Sequence, residues 1–367
     1  MLKKKTLLFN PGPTNVSDQV REAIKTPDIC HREKEFFRLL RAVRKKILRV
    51  ANAEKTHTAI AFVASATGCN EAVISSLEGK VLVINNGKYS ERLKEIVIRY
   101  KIPFLELCFN PLKPIDLKKV EKALKVDPAL THILLVHHET TTGMLNDLHA
   151  IGKLAAKYKK IVCADTVSSF GGYKIDVKTD NLAFCTVSAN KCLESFPGIS
   201  FVIAQKKELK KLQGKSRSYY FDLYNQWEFE EKKGQTPFTS AVQLFFALNQ
   251  ALDELLTEGI QNRIRRYKNN ANLMRQGLKK LGFRFVLPEY LQSSIITSIK
   301  LPSNMDYWQV HDELKRKGYT IYSGQSTLDE GIFRIATLGH LSSEDIKNFL
   351  IDFTQTLKKI KFKPKYD

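Results

Sequence analysis

The chain has 367 residues, 43% hydrophobic and 10% aromatic, which is ordinary for a folded protein with two lobes and a sizeable core and excludes a disordered chain. Lys and Arg total 59 against 38 Asp and Glu, a net charge of +21. The basic residues are spread, as at Lys206-Lys207, Lys210-Lys211 and Lys358-Lys359, with no zinc finger, RNA-recognition signature or aromatic-interleaved stripe, so a solvated Lys-rich surface is favoured over nucleic-acid binding.

Residues 1–20 read as a polar, Pro-rich N-terminal arm. Its Leu7-Leu8-Phe9 stretch is too short for a signal peptide and is cut by Asn10-Pro11-Gly12-Pro13, which must turn and on its own fits a plain surface turn. Ser17 is placed to cap a helix running to Ala23. Phe36, Leu39, Leu40, Val43, Ile47 and Leu48 have helical spacing across 35–50. Alternation then begins: strand 60–63, helix 70–76, strand 80–84, helix 91–100, strand 104–108, helix 117–124, strand 133–136, helix 148–158, and strands 161–164 and 182–188. Strands separated by helices predict an α/β fold with a mostly parallel sheet flanked by helices.

Helices at 238–256 and 259–281, a strand at 294–299, a helix at 308–317, a strand at 332–335 and a helix at 343–357 follow. This suggests a large domain over 21–255 and a smaller C-terminal α+β domain over 256–367. No run is long and apolar enough to span a bilayer. The six Cys (30, 69, 108, 163, 185, 192) form no C-x-x-C pair and the eight His no H-E-x-x-H pattern. No metal framework is expected, and the thiols fit a reduced, cytoplasmic protein.

Chemistry on such a sheet gathers at the carboxyl ends of the strands. Asp165 closes one apolar run there, and Lys191, in Ser188-Ala189-Asn190-Lys191, follows another. An Asp and a Lys at neighbouring strand ends are the pair a pyridoxal phosphate enzyme requires, the amine for the aldehyde and the carboxylate for the pyridine nitrogen. Ser65-Ala66-Thr67-Gly68-Cys69-Asn70-Glu71 leaves a strand and opens a helix, which suits a phosphate but equally an ordinary strand-to-helix turn. His138-Glu139-Thr140-Thr141-Thr142-Gly143-Met144-Leu145 is a hydroxyl-rich strand exit.

Taken in order, N-P-G-P-T, S-A-T-G, E-T-T-T-G, D-x-x-S-S-F-G-G, S-A-N-K-C, P-G-x-x-F-V-I-A and F-R-I cover nearly the whole chain and resemble the class V, fold-type I pyridoxal phosphate aminotransferases. Within that class, 140–146, 188–192, 216–218 and 222–227 are similar to the members that act on 2-aminoethylphosphonate and pyruvate. The resemblance implies roles residue by residue. Lys191 would bond the cofactor and Asp165 would pair with its ring nitrogen. Ser65, Ala66 and Thr67 would lie on the phosphate side, with Asn190 beside the lysine. Tyr89 would stack on one ring face, Val167 would pack on the other, and Thr140 would sit near the ring hydroxyl. Thr239 would reach the phosphate of the partner subunit, which implies a homodimer, and Arg334 would hold the substrate's acid group. His31 and Arg32 would line the substrate entrance or pin the N-terminal arm.

The chain departs from the resemblance at Ala66, where relatives often carry Gly, and at Ala241, where Pro is usual; 28–36 is closer to some members than to others. Alanine–glyoxylate or serine–pyruvate transamination is the nearest alternative on the same fold. Cysteine desulfuration needs a mobile Cys well after the lysine, and the last Cys here is Cys192. A basic nucleic-acid-binding protein is the distant alternative, resting on charge alone.

Overall fold

The computed structural model describes residues 6–323 and 331–366. In chain order it begins with β1 (Leu7–Leu8), α1 (Asp18–Glu22), α2 (Lys34–Val50), β2 (His57–Phe62), α3 (Ala66–Ile74), β3 (Lys80–Asn85), α4 (Lys88–Arg99) and β4 (Phe104–Cys108). There follow α5 (Leu117–Val126), β5 (Leu130–Val136), β6 (His138–Glu139), β7 (Met144–Leu145), α6 (Leu148–Lys157), β8 (Ile161–Asp165), β9 (Leu182–Ser188) and β10 (Ser200–Gln205). Short helices α7 (Lys206–Leu209) and α8 (Leu223–Glu228) lead to the long α9 (Val242–Glu258) and α10 (Ile260–Lys280). The last part holds β11 (Ile296–Lys300), α11 (Tyr307–Arg316), β12 (Tyr319–Thr320), β13 (Tyr322–Ser323), β14 (Ile332–Ala336) and α12 (Ser343–Lys359).

Seven strands form the central sheet in the order β2-β10-β9-β8-β5-β3-β4. Only β10 runs against its neighbours; the other pairings are parallel. The alternation rule predicts this sheet, and β10 is the strand it leaves unassigned. The chain steps outward from β3 to β4 and then returns to the other side of β3 as β5, so the strand order switches between β3 and β5. That is where an open parallel sheet leaves a crevice at its carboxyl edge. Both faces are buried: Ile133 and Leu135 of β5 enter the core under α2, α6 and α9, while Leu134 and Val136 enter the core under α3 and α4. Strands covered on both sides therefore read as continuous apolar runs.

A second core is built by Phe9, Met274, Ile299, Leu314, Phe333, Phe349 and Phe353 among others, around the three-stranded sheet β11-β14-β13. The N-terminal segment belongs to this part, because β1 pairs in parallel with β12 and the Phe9 ring lies 4.4 Å from that of Phe349. Local chemistry sets the helix starts. Ser17 accepts from Val20 N–H as anticipated, Asp116, Asp147 and Asp306 cap α5, α6 and α11, and Ser342 with Asp345 closes a capping box on α12. Among the described residues no helix is long and apolar enough to cross a membrane.

Candidate active site

The carboxyl ends of β2, β3, β5, β8 and β9 lie on one edge of the sheet, and the loops that leave them carry most of the residues singled out above. Asp165 ends β8 and is buried. Its Oδ2 accepts from Asn70 Nδ2 at 2.7 Å and its Oδ1 from Val167 N–H at 3.0 Å. Asn70 is itself oriented by Thr186, whose hydroxyl donates to Asn70 Oδ1 at 2.7 Å. Burial pushes the Asp165 carboxyl above its ordinary range against these donors, and no described Lys, Arg or His is within ion-pair distance of it.

Lys191 follows β9 in a turn. Its Nζ donates to the Pro11 carbonyl at 2.6 Å, and burial brings its pKa down to about 8. Asn190 beside it accepts from Ser188 Oγ at 2.6 Å. Ser65 caps α3 without its side chain bonding the helix, so the start of that helix, with Ala66 and Thr67 in its first turn, retains a free N-terminal dipole end. Thr140 Oγ1 and His138 Nε2 are buried with no partner among the described residues. Neutrality suits that His, because burial lowers its pKa to about 3, and its Nδ1 lies 2.9 Å from Ser168 Oγ.

Tyr89 stands at the start of α4, where Glu139 accepts from the Tyr89 and Ser90 N–H groups at 3.2 and 3.3 Å and from Thr141 Oγ1 at 2.7 Å. Glu139 thus fixes both Tyr89 and the Thr140 loop. The Arg92 guanidinium covers the Tyr89 ring at 5.0 Å. Arg334, on β14, donates to Thr140 O at 3.1 Å and to Ser323 O at 3.2 Å, and the Tyr322 ring stacks on it at 5.1 Å. It is only 2% exposed, and among the described residues its Nε has no partner and no carboxylate pairs with it. Through Thr140, Arg334 is physically joined to the carboxyl edge of the sheet.

Three expected residues lie apart from this group. Arg32 donates to Gln235 Oε1 and Thr236 O, both at 2.6 Å, and to Pro237 O at 2.9 Å; it and His31 bond to none of Lys191, Asp165 or Arg334. Thr239 is exposed on the segment that Arg32 holds. Four features lie within the quoted sequence segments without an individual role assigned to them: Asn70, Glu139, His138 and the Pro11-Gly12 pair. Asn70 and His138 sit among other polar residues in the segments that follow β2 and β5, so local pattern does not single them out. The Asn10–Pro13 sequence fits a surface turn locally, but Asn10 and Pro11 are buried and the Pro11 carbonyl accepts from Lys191.

A buried acid with no ion-pair partner among the described residues, a buried amine, a helix start that Ser65 leaves uncapped by its side chain and a buried Thr140 hydroxyl together suit pyridoxal phosphate. Residues 6–349 match the family described as Aminotransferase class-V. The chain is 38% identical over 357 residues to 2-aminoethylphosphonate--pyruvate transaminase of Vibrio vulnificus, covering 95% of this chain and 97% of that one. It is also 38% identical over 350 residues to a bifunctional phosphonoacetaldehyde hydrolase/aminoethylphosphonate transaminase of Clostridioides difficile, and spans 55% of that longer protein. Among solved structures, ureidoglycine-glyoxylate aminotransferase of Bacillus subtilis superposes with a TM-score of 0.92 at 22% identity, over 100% of this chain and 96% of that one, which speaks for the fold. The chain belongs to the class V aminotransferases, fold-type I enzymes whose cofactor is pyridoxal phosphate.

Proposed function

We propose that this chain transfers the amino group of 2-aminoethylphosphonate to pyruvate, giving phosphonoacetaldehyde and L-alanine, in a reversible reaction. The observation that carries the reading is Arg334, a buried guanidinium held by two carbonyls and paired with no carboxylate among the described residues. Similarity to 2-aminoethylphosphonate--pyruvate transaminases over nearly the full length favours a phosphonate as one of the anions it takes.

Pyridoxal phosphate, when bound, supplies an aldehyde that takes up the amino group and a ring that holds the electron pair left as the amine carbon loses its proton. Asp165 would keep the ring nitrogen protonated. Ser65, Ala66 and Thr67 would hold the phosphate at the start of α3, Thr140 would meet the ring hydroxyl, and Tyr89 and Val167 would bracket the ring. Lys191 would act as the base, its amine taking the proton from the amine carbon of the substrate. Its lowered pKa leaves a usable fraction neutral near pH 7. Arg334 must accept a phosphonate in one half-reaction and a carboxylate in the other. A planar, permanently charged fork can bind either with two parallel hydrogen bonds, which an ammonium cannot do.

Two copies pair in this reading, with Thr239 of the partner subunit completing the phosphate site. Support comes from the exposure of Thr239 and from its aromatic surroundings, where Tyr219 is 88% exposed and the Tyr220 and Phe238 rings stack at 4.8 Å. Light scattering that reports a single-chain mass would remove the dimer. All six thiols are free, which supports a cytoplasmic setting.

The test is alanine formation from 2-aminoethylphosphonate and pyruvate by the cofactor-loaded chain, with Lys191→Ala as the blank. Turnover that vanishes in the blank is expected. A loaded enzyme that is silent here but active on alanine and glyoxylate overturns the phosphonate reading while keeping the class. Arg334→Lys is expected to raise KM for both substrates about tenfold or more with the cofactor retained; unchanged kinetics take Arg334 out of the site.

A further inference from the structure

Lys191 is met from above by the N-terminal segment. Its Nζ donates to Pro11 O at 2.6 Å, and its own carbonyl accepts from Thr14 Oγ1 at 3.3 Å. Between these contacts lies Gly12, with φ +144°, a conformation that L side chains rarely adopt. A Cβ on Gly12 would overlap Nζ and lie 2.8 Å from Cε of Lys191. Even a methyl group therefore requires the lysine to move.

The far side of the segment is fastened to the part of the molecule that carries Arg334. Phe9 N–H donates to Thr320 O at 2.8 Å, and Ala336 N–H donates to Phe9 O at 2.7 Å, two residues along β14 from Arg334. Asn15 binds the Leu8 backbone through both ends of its amide, at 2.9 and 2.8 Å. Residues 9–15 thus form a strap, anchored on the substrate-binding strand and closed over the lysine.

In the proposed transamination Lys191 would be released as a free amine and would have to move a proton at the substrate's amine carbon. A free four-carbon amine has many rotamers, and a general base works only when its lone pair is aimed. We propose that the Pro11 carbonyl is the docking acceptor for the released Lys191 amine, and that Gly12 is kept bare so that the amine can reach it. Both are positioning groups. A carbonyl oxygen accepts from the neutral amine and from the ammonium alike, so it holds Nζ before and after the proton arrives. The inference rests on Lys191 being the transamination lysine and is independent of which amine is the donor.

Gly12→Ala in the full, cofactor-loaded chain is the test, with Gly214→Ala as the control: Gly214 also has positive φ, but a Cβ there meets nothing within 4 Å. Expected for Gly12→Ala are a retained visible absorbance of the bound cofactor, kcat lower by about a hundredfold, and KM changed much less. The rate difference between 2-aminoethylphosphonate and the same compound deuterated at its amine carbon should grow, since proton transfer becomes the slow step; a merely structural role would leave that ratio alone. In the cofactor-free chain, the pH midpoint for acylation of Lys191, followed by peptide mass spectrometry, should fall, because an acceptor of the charged form is lost. This readout holds even where 2-aminoethylphosphonate is the wrong donor. Unchanged kcat, isotope ratio and midpoint make the Pro11 carbonyl a bystander. If Gly12→Ala does not fold, Thr14→Val loosens the same strap and should lower kcat in the same way by about tenfold; no change there overturns the proposal.

Discussion

Around Asp165 every bonded donor is neutral, an Asn amide and one backbone N–H. Around Glu194, three residues past Lys191, the donors are cationic or strongly polar. Arg266 binds it at 2.9 Å and the Tyr267 hydroxyl at 2.6 Å, with Arg263 at 3.5 Å and His340 at 3.7 Å. Both carboxylates are buried, yet burial drives the Asp165 carboxyl up, while at Glu194 burial is outweighed by Arg263, His340, Arg266 and Tyr267, which hold it at about 2. An ionised carboxylate is costly in the interior unless a cation shares its site. Glu194 takes its cations from α10, and the network fixes the turn carrying Lys191, since Glu194 N–H donates to Lys191 O at 2.9 Å. It even tolerates φ +57° at Glu194, a conformation unusual outside glycine. Asp165 has no ion-pair partner among the described residues, and in the proposed reading the protonated ring nitrogen of the cofactor would take that place. Glu194 finds its cations within the chain, whereas in the proposed reading Asp165 finds its cation in the ligand.

The sharpest way to break this contrast is Asp165→Asn. Activity should fall by about 10²–10³, some 3–4 kcal/mol of transition-state stabilisation, because the neutral amide cannot hold the ring nitrogen's proton. The thermal midpoint should stay level or rise, since an unpaired buried charge has been removed. Intact turnover with a lowered midpoint would reverse the assignment.

Glu194→Gln should do the opposite, costing about 3 kcal/mol in denaturant unfolding by leaving Arg263 and Arg266 unpaired, with a smaller loss in the loaded enzyme's kcat. The same carboxylate sets an acid limit. Its folded pKa, about 2, lies below its ordinary 4.5, so its stabilisation is present above pH 4.5 and is lost as pH falls toward 2. The full difference is about 3 kcal/mol. Glu194→Gln should flatten the stability curve across that window; a curve that keeps its slope would assign the acid limit elsewhere.

The parts of this contrast that were legible in the sequence are those written in runs. Asp165 and Lys191 stand out because each ends or follows a continuous apolar strand, and the parallel order follows from strands spaced by helices. What was illegible depends on partners far apart in the chain. The Asn10–Pro13 turn has the local signature of a surface loop, and only the pairing of β1 with β12 brings it over Lys191. Arg32, expected at the substrate entrance or the arm, spends its guanidinium on 235–237. The helix expected from 238 begins at Val242, because Thr236 Oγ1 bonds Phe238 O and Ser240 Oγ, both at 2.7 Å, and holds the backbone out of the helix. Polar side chains advertise that they need partners, but local pattern does not say which.

The smallest effect expected separates the two carboxylates at the lysine itself. Only the unprotonated amine attacks the cofactor aldehyde, so the rate at which the cofactor-free chain takes up pyridoxal phosphate should rise with pH around a midpoint near the lysine's pKa of about 8. From pH 7 to pH 9 the rise is about tenfold. A midpoint above 10 would mean an ordinary exposed lysine and would undo the buried contact with Pro11. Burial is opposed by Cys192 and then by Asp165, the one carboxylate among the leading groups acting on that nitrogen. Asp165→Asn should therefore lower the midpoint, and Glu194→Gln should leave it where it is. If both variants move it equally, the complete and the waiting carboxylate are not distinct, and the division between a structural and a cofactor-facing acid fails.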